Sequence, residues 1–71
     1  EQTGDRRAAI RACRAAVEID PDDADVRFAL AYALARDGQR RDAIQEFEAG
    51  LELDPDRDGA RAALERLRQQ P

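Results

Sequence analysis

Residues 4–21 read GDRRAAIRACRAAVEIDP and residues 38–55 read GQRRDAIQEFEAGLELDP, and laying one stretch on the other decides the fold. The offset is 34 residues without a gap: Gly4 falls on Gly38, Arg6 and Arg7 on Arg40 and Arg41, Ala9 and Ile10 on Ala43 and Ile44. Further along, Cys13 falls on Phe47, Ala16 on Gly50, Val17 on Leu51, Ile19 on Leu53, and Asp20-Pro21 on Asp54-Pro55. At each of these matched positions an apolar residue stays apolar or small. A fixed period of this length marks stacked supersecondary units, each burying its apolar face against the next.

Each unit carries helical spacing. Ala9, Ile10, Cys13, Ala16 and Val17 recur at i, i+1, i+4, i+7 and i+8, and Ala43, Ile44, Phe47, Gly50 and Leu51 repeat the pattern. Asp-Pro closes both, because a residue before proline is pushed out of the α region. Between them Val26, Leu30, Ala33 and Leu34 mark a helix that ends at Gly38, a residue suited to the left-handed C-terminal position. After Pro55, Ala60, Leu64 and Leu67 mark a fourth. The pattern predicts helices over roughly 5–19, 23–37, 40–53 and 57–69. Asp20, Asp22, Asp23 and Asp25 lead into the second helix, and Asp54, Asp56 and Asp58 into the fourth. There carboxylates can cap free N–H groups and oppose the helix dipole.

Composition bounds the rest. With 71 residues the chain holds one domain. A chain this size buries about 60% of its unfolded surface, leaving little room for an enclosed site. Charged residues make up 39%, but both signs are interspersed among periodic apolar positions, which points to a folded helical protein rather than a disordered one. The net charge of −4 argues against nucleic acid as a partner. No apolar run approaches the ~20 residues that span a bilayer, and no signal peptide is visible, so no membrane role is expected. Cys13 is alone and has no internal disulfide partner, which favours a reducing, cytoplasmic setting. The chain starts at Glu1 rather than Met, so a longer parent protein is expected.

Residues 24–55, ADVRFALAYALARDGQRRDAIQEFEAGLELDP, resemble a tetratricopeptide repeat of the bacterial type. Leu30-Ala31 and Leu34 match the large and small positions of that family's first helix. Gly38 matches the break, Ala43, Phe47 and Gly50 the small, aromatic and small positions of its second helix, and Leu53-Asp54-Pro55 the close. Arg27 departs where the family usually has Trp, and Arg40 where it often has Tyr. The resemblance implies an all-α fold of antiparallel helix-turn-helix repeats in a right-handed superhelix, about four helices in all. It divides the single domain into the second half of a repeat at 4–21, a complete repeat at 24–57, and a capping helix or start of a third repeat at 58–70. Glu65 occupies the phase of Ala31, which favours the cap.

The resemblance also implies a function: a protein–protein interaction scaffold or adaptor that holds a peptide or helix of a partner in a shallow groove. The groove positions it indicates are Asp25, Phe28, Ala29, Tyr32 and Arg36, with Ala62, Arg66 and Gln69 on the last helix. Phe28, Tyr32, Arg36 and Arg66 are the strongest candidates, since aromatics and Arg are typical interface anchors. The family's carboxylate clamp uses Lys and Asn, and this chain has neither.

Two alternatives come from the residues themselves. One is architectural: the first helix lacks a partner before it, which predicts a partly exposed apolar strip over residues 8–17 that a second copy or an upstream segment would cover. The other is calcium, because DPDRDGARAALE at 54–65 places Asp54, Asp56, Asp58 and Glu65 at ligand spacing with Gly59 at the turn. Pro55 and the helical pattern of 60–64 oppose it. No cofactor site or catalytic residue is expected: the chain has no His or Ser, Cys13 has no base to activate it, and no phosphate-binding loop occurs. Arg6, Arg7, Arg11 and Arg14 read as a solvated face.

Overall fold

The turn signals cut the chain into four helices: α1 (Gln2–Ile19), α2 (Ala24–Arg36), α3 (Arg40–Leu53) and α4 (Asp58–Gln69). The computed structural model describes residues 2–70, with side chains from Asp5 onward, and these residues hold no strand. The all-α expectation stands. The helix bounds differ from the sequence pattern mainly at the front, where α1 begins at Gln2 rather than near residue 5.

The two Asp-Pro turns are built alike. Asp20 N–H donates to the Ala16 carbonyl (3.0 Å) and Asp54 N–H to that of Gly50 (2.9 Å), closing each helix. Three residues on, Asp23 N–H reaches Asp20 O (3.2 Å) and Arg57 N–H reaches Asp54 O (3.4 Å). The caps then diverge. Asp23 caps α2, its carboxylate accepting from the N–H groups of Asp25 (3.0 Å) and Val26 (3.4 Å). Arg57 stands at the same phase before α4 and makes no cap hydrogen bond. The acidic turns were expected to cap both helices; only the first does, because the second has Arg where the cap must be.

The α2–α3 turn is closed by Gly38, the one positive-φ residue among those described (φ 79°). That conformation lets Gly38 N–H donate to Ala35 O (3.1 Å) and Gln39 N–H to Leu34 O (3.0 Å), satisfying carbonyls the helix end would leave open.

Cross-helix pairs set the directions. Arg6 near the start of α1 lies 3.9 Å from Asp37 after α2. Arg27 early in α2 pairs with Glu46 in α3. Arg40 at the start of α3 donates to the Gln70 carbonyl after α4 (2.6 Å). Neighbouring helices are therefore antiparallel, each packed on the next. The body measures 34 × 32 × 16 Å. Every helix keeps exposed residues along its length, so each has one face on the surface.

Two apolar clusters fill the slab, and α2 and α3 contribute to both. Ile10, Leu30, Leu34 and Ala43 join α1 to the pair. Phe28, Ala31, Phe47, Ala60 and Leu64 join α4 to it. No polar or charged residue is buried among those described. Gly50 is small for a specific reason: a Cβ there would meet Phe28 Cε1 at 2.6 Å and Cδ1 at 2.8 Å. The departure at Arg27 is accommodated by charge. Its guanidinium lies 3.0 Å from Glu46 Oε1 and its Nε donates to Pro21 O (3.1 Å), with both side chains only about one-fifth exposed.

The strip expected on α1 is only partly open. Ile10 is buried, and Cys13, Ala16 and Val17 are half-buried against α2 and its neighbours. Ala8, Ala9, Ala12 and Ala15 are exposed, so the open portion consists of methyl groups. Beyond it, Ile19 is 85% exposed. Two of the arginines read as a solvated face reach across helices, Arg6 toward Asp37 and Arg14 toward Asp42 (3.8 Å).

Candidate functional site

Phe47 is the centre of the aromatic group. It is fully buried in α3, Tyr32 meets it edge-on (centroids 4.9 Å, 89°), and Phe28 lies tilted beside it (6.5 Å, 36°). Phe28 and Tyr32 share a face of α2, as their i, i+4 spacing requires, yet their exposures are 3% and 43%. Phe28 packs against Gly50 and within the core cluster, and the α3–α4 turn adds a cover. Arg57 leaves that turn and lays its guanidinium 4.8 Å above the centre of the Phe28 ring. It is held there by Asp25 (2.5 Å) and Asp54 (3.1 Å). The hydrogen bond to Asp25 raises the Arg57 pKa, desolvation opposes this, and the charges of Asp25 and Asp54 add to the rise. A raised pKa means the pairing favours the folded state below the ordinary Arg range and weakens only in strong alkali.

Past Phe28 the surface opens into a shallow groove between α2 and α4, with a volume of about 320 Å³. Tyr32, Ala35 and Arg36 supply one wall, Ala63, Arg66, Leu67 and Gln70 the other, and Phe47 the floor. A groove of this size is at the small end of ligand sites and takes a few side chains of an extended segment. Its walls follow from antiparallel packing: α2 and α4 both pack on α3, and the gap between them lies over the buried Phe47.

Of the four leading candidates, the structure brings Tyr32, Arg36 and Arg66 together on this groove and places Phe28 outside it, in the core under Arg57. The carboxylate of Asp25 is turned to Arg57. Ala29, Ala62 and Gln69 are exposed but do not line the groove. Sequence reasoning missed Ala35, Ala63, Leu67 and Gln70, which become wall residues only once α4 is set against α2. It also missed Arg57 as the cover of Phe28. The signal was available, since the 34-residue offset puts Arg57 on Asp23 and replaces a cap by a long cation.

Arg36 and Arg66 differ from most arginines of the chain. Arg6, Arg14, Arg27, Arg57, Arg61 and Arg68 each face a carboxylate within 4 Å. Among the described residues Arg36 and Arg66 have no ion-pair or hydrogen-bond partner for their side chains.

At 54–65 the backbone is helical from Asp58 onward, so Asp58 and Glu65 lie along a rod instead of encircling a point. Gly59 is not in a positive-φ conformation, Asp54 is engaged by Arg57 and Asp58 by Arg61. The described residues contain no group of three or more carboxylate, His or Cys side chains placed to hold a metal ion. No helix among them is long and apolar enough to cross a membrane.

Comparison with curated proteins finds no match. A family model for the tetratricopeptide repeat matches residues 2–67, nearly the whole chain. With four antiparallel helices on a 34-residue period, the chain belongs to the tetratricopeptide repeat family.

Proposed function

We propose that this chain is a non-catalytic interaction module that holds a peptide or helix of a partner protein in the α2–α4 groove. One observation carries the reading: Tyr32, Arg36 and Arg66, residue types that anchor interfaces, line a single hollow together with the apolar Ala35, Ala63 and Leu67. The family mediates protein–protein interaction in general, which supports the class of function. The test is an interaction screen comparing wild type with Tyr32→Ala and Arg36→Ala. Loss of the same partner by both variants is expected; unchanged capture of every partner would remove the groove from consideration.

A second reading rests on α1. Ala8, Ala12, Ala15 and Ile19 fall at helical spacing on an exposed face, and Ile19 is 85% exposed. Such a face suits self-association or stacking with a further repeat. Sedimentation over a concentration series tests it: a strict monomer at high concentration, unchanged by Ile19→Asp, would rule out self-association.

A further inference from the structure

Arginine is the only basic residue in this chain, and its pattern of pairing singles out one place. The protein is acidic overall, with a net charge of −4, and half of its twelve guanidinium groups face carboxylates. Arg36 and Arg66 are both exposed and unpaired among the described residues, and they flank the same groove from opposite helices. Arg7, Arg11 and Arg41 are also exposed without a carboxylate partner, but none lines a hollow with an aromatic wall. The groove between the two arginines offers apolar surface from Ala35, Ala63 and Leu67 and a half-exposed phenol from Tyr32.

Resting on the reading of this groove as the binding site, we infer that its occupant is an extended acidic peptide: an apolar side chain set between carboxylates. The apolar side chain packs on Ala63 and Leu67 beside Tyr32. Carboxylates on either side accept from Arg36 and Arg66, whose planar, permanently charged forks suit that acceptor. Charge complementarity is local. Asp5 shares a neighbouring hollow with Arg6 and Arg36, and it makes no ion pair with Arg36. The overall negative charge repels an acidic peptide at long range, but that field is screened beyond ~10 Å at 0.1 M salt, whereas contact with the two arginines is not. A basic peptide would be drawn to the protein as a whole and repelled at this groove. An uncharged one would leave both guanidinium groups partly covered and unpaired, a loss an acidic sequence avoids.

The experiment is a selection from a random peptide library displayed on phage, against the 71-residue chain in 0.1 M salt, followed by direct affinity measurement on the enriched peptides. The expected result is enrichment of Asp and Glu around one apolar position. Arg36→Gln and Arg66→Gln should each weaken the selected peptides about five- to tenfold, while Arg41→Gln, outside the groove, has little effect. Replacing the peptide's Glu by Gln should cost a similar factor. Circular dichroism of each variant checks that the fold is kept. Tyr32→Ala separates the two levels of the argument. Neutral or basic peptides whose binding depends on Tyr32 would overturn the acidic occupant and leave the groove standing. Acidic peptides indifferent to Tyr32, Arg36 and Arg66, or no enrichment at all, would overturn both.

Discussion

Gly50 shows how one residue carries the packing of a repeat. Its missing side chain is the space occupied by the Phe28 ring, which is buried and covered by Arg57, so the ring has no free direction in which to move. Gly50→Ala would raise helix propensity by about 1 kcal/mol, but overpacking a rigid neighbour costs about 1–3 kcal/mol. We expect a net loss of about 1 kcal/mol and a Tm lower by roughly 4–8 °C, read by thermal denaturation. Combining it with Phe28→Leu should show strong coupling, since the second change removes the obstructing ring edge. At Gly38 no neighbour stands in the way, but φ is 79°. Gly38→Ala should cost about 1 kcal/mol through backbone strain alone, with no rescue from any packing variant.

At the scale of elements, the helices are held, among the described residues, by the Asp23 side-chain cap and several charge pairs in addition to the core. Asp23→Ala removes the only side-chain cap on α2 and should destabilise by about 1 kcal/mol, whereas Asp56→Ala at the second turn should have almost no effect, as α4 has no such cap. The Arg27–Glu46 pair joins α2 to α3 at positions only about one-fifth exposed. Glu46→Ala leaves that guanidinium mostly covered and without a carboxylate, which should cost about 1–2 kcal/mol in urea denaturation. The double change Arg27→Met with Glu46→Leu should recover most of it, because an apolar pair of similar volume needs no charge compensation. An unrecovered double variant would show that Arg27 acts through its bond to Pro21 O instead.

For the whole molecule, the thin slab explains both the groove and the fate of the acidic second turn. With every helix at the surface, a hollow forms wherever two helices packed on a third fail to meet, and α2 and α4 leave one at Tyr32. The same packing draws residues 58–69 into α4, so the carboxylate spacing of a calcium loop is spent on a helix. Addition of millimolar calcium is therefore expected to change neither the helicity nor the Tm; a rise in either would show that the turn can reorganise around the ion.

Much of this was legible in the chain. The 34-residue period, the i, i+4 spacing of Ala43, Phe47 and Gly50, and the breaks at Asp20-Pro21, Gly38 and Asp54-Pro55 determined four helices and their neighbours, since those signals act on backbone within a few residues. The sequence also named Tyr32, Arg36 and Arg66. Which of the aromatic candidates faces solvent was decided only by tertiary structure. Phe28 and Tyr32 are equivalent in spacing, but Phe28 packs against Gly50 and under Arg57, 22 and 29 residues beyond it in the chain, while Tyr32 stays half open. Local pattern tells which side of a helix a residue is on; only the packing of distant segments tells what covers it.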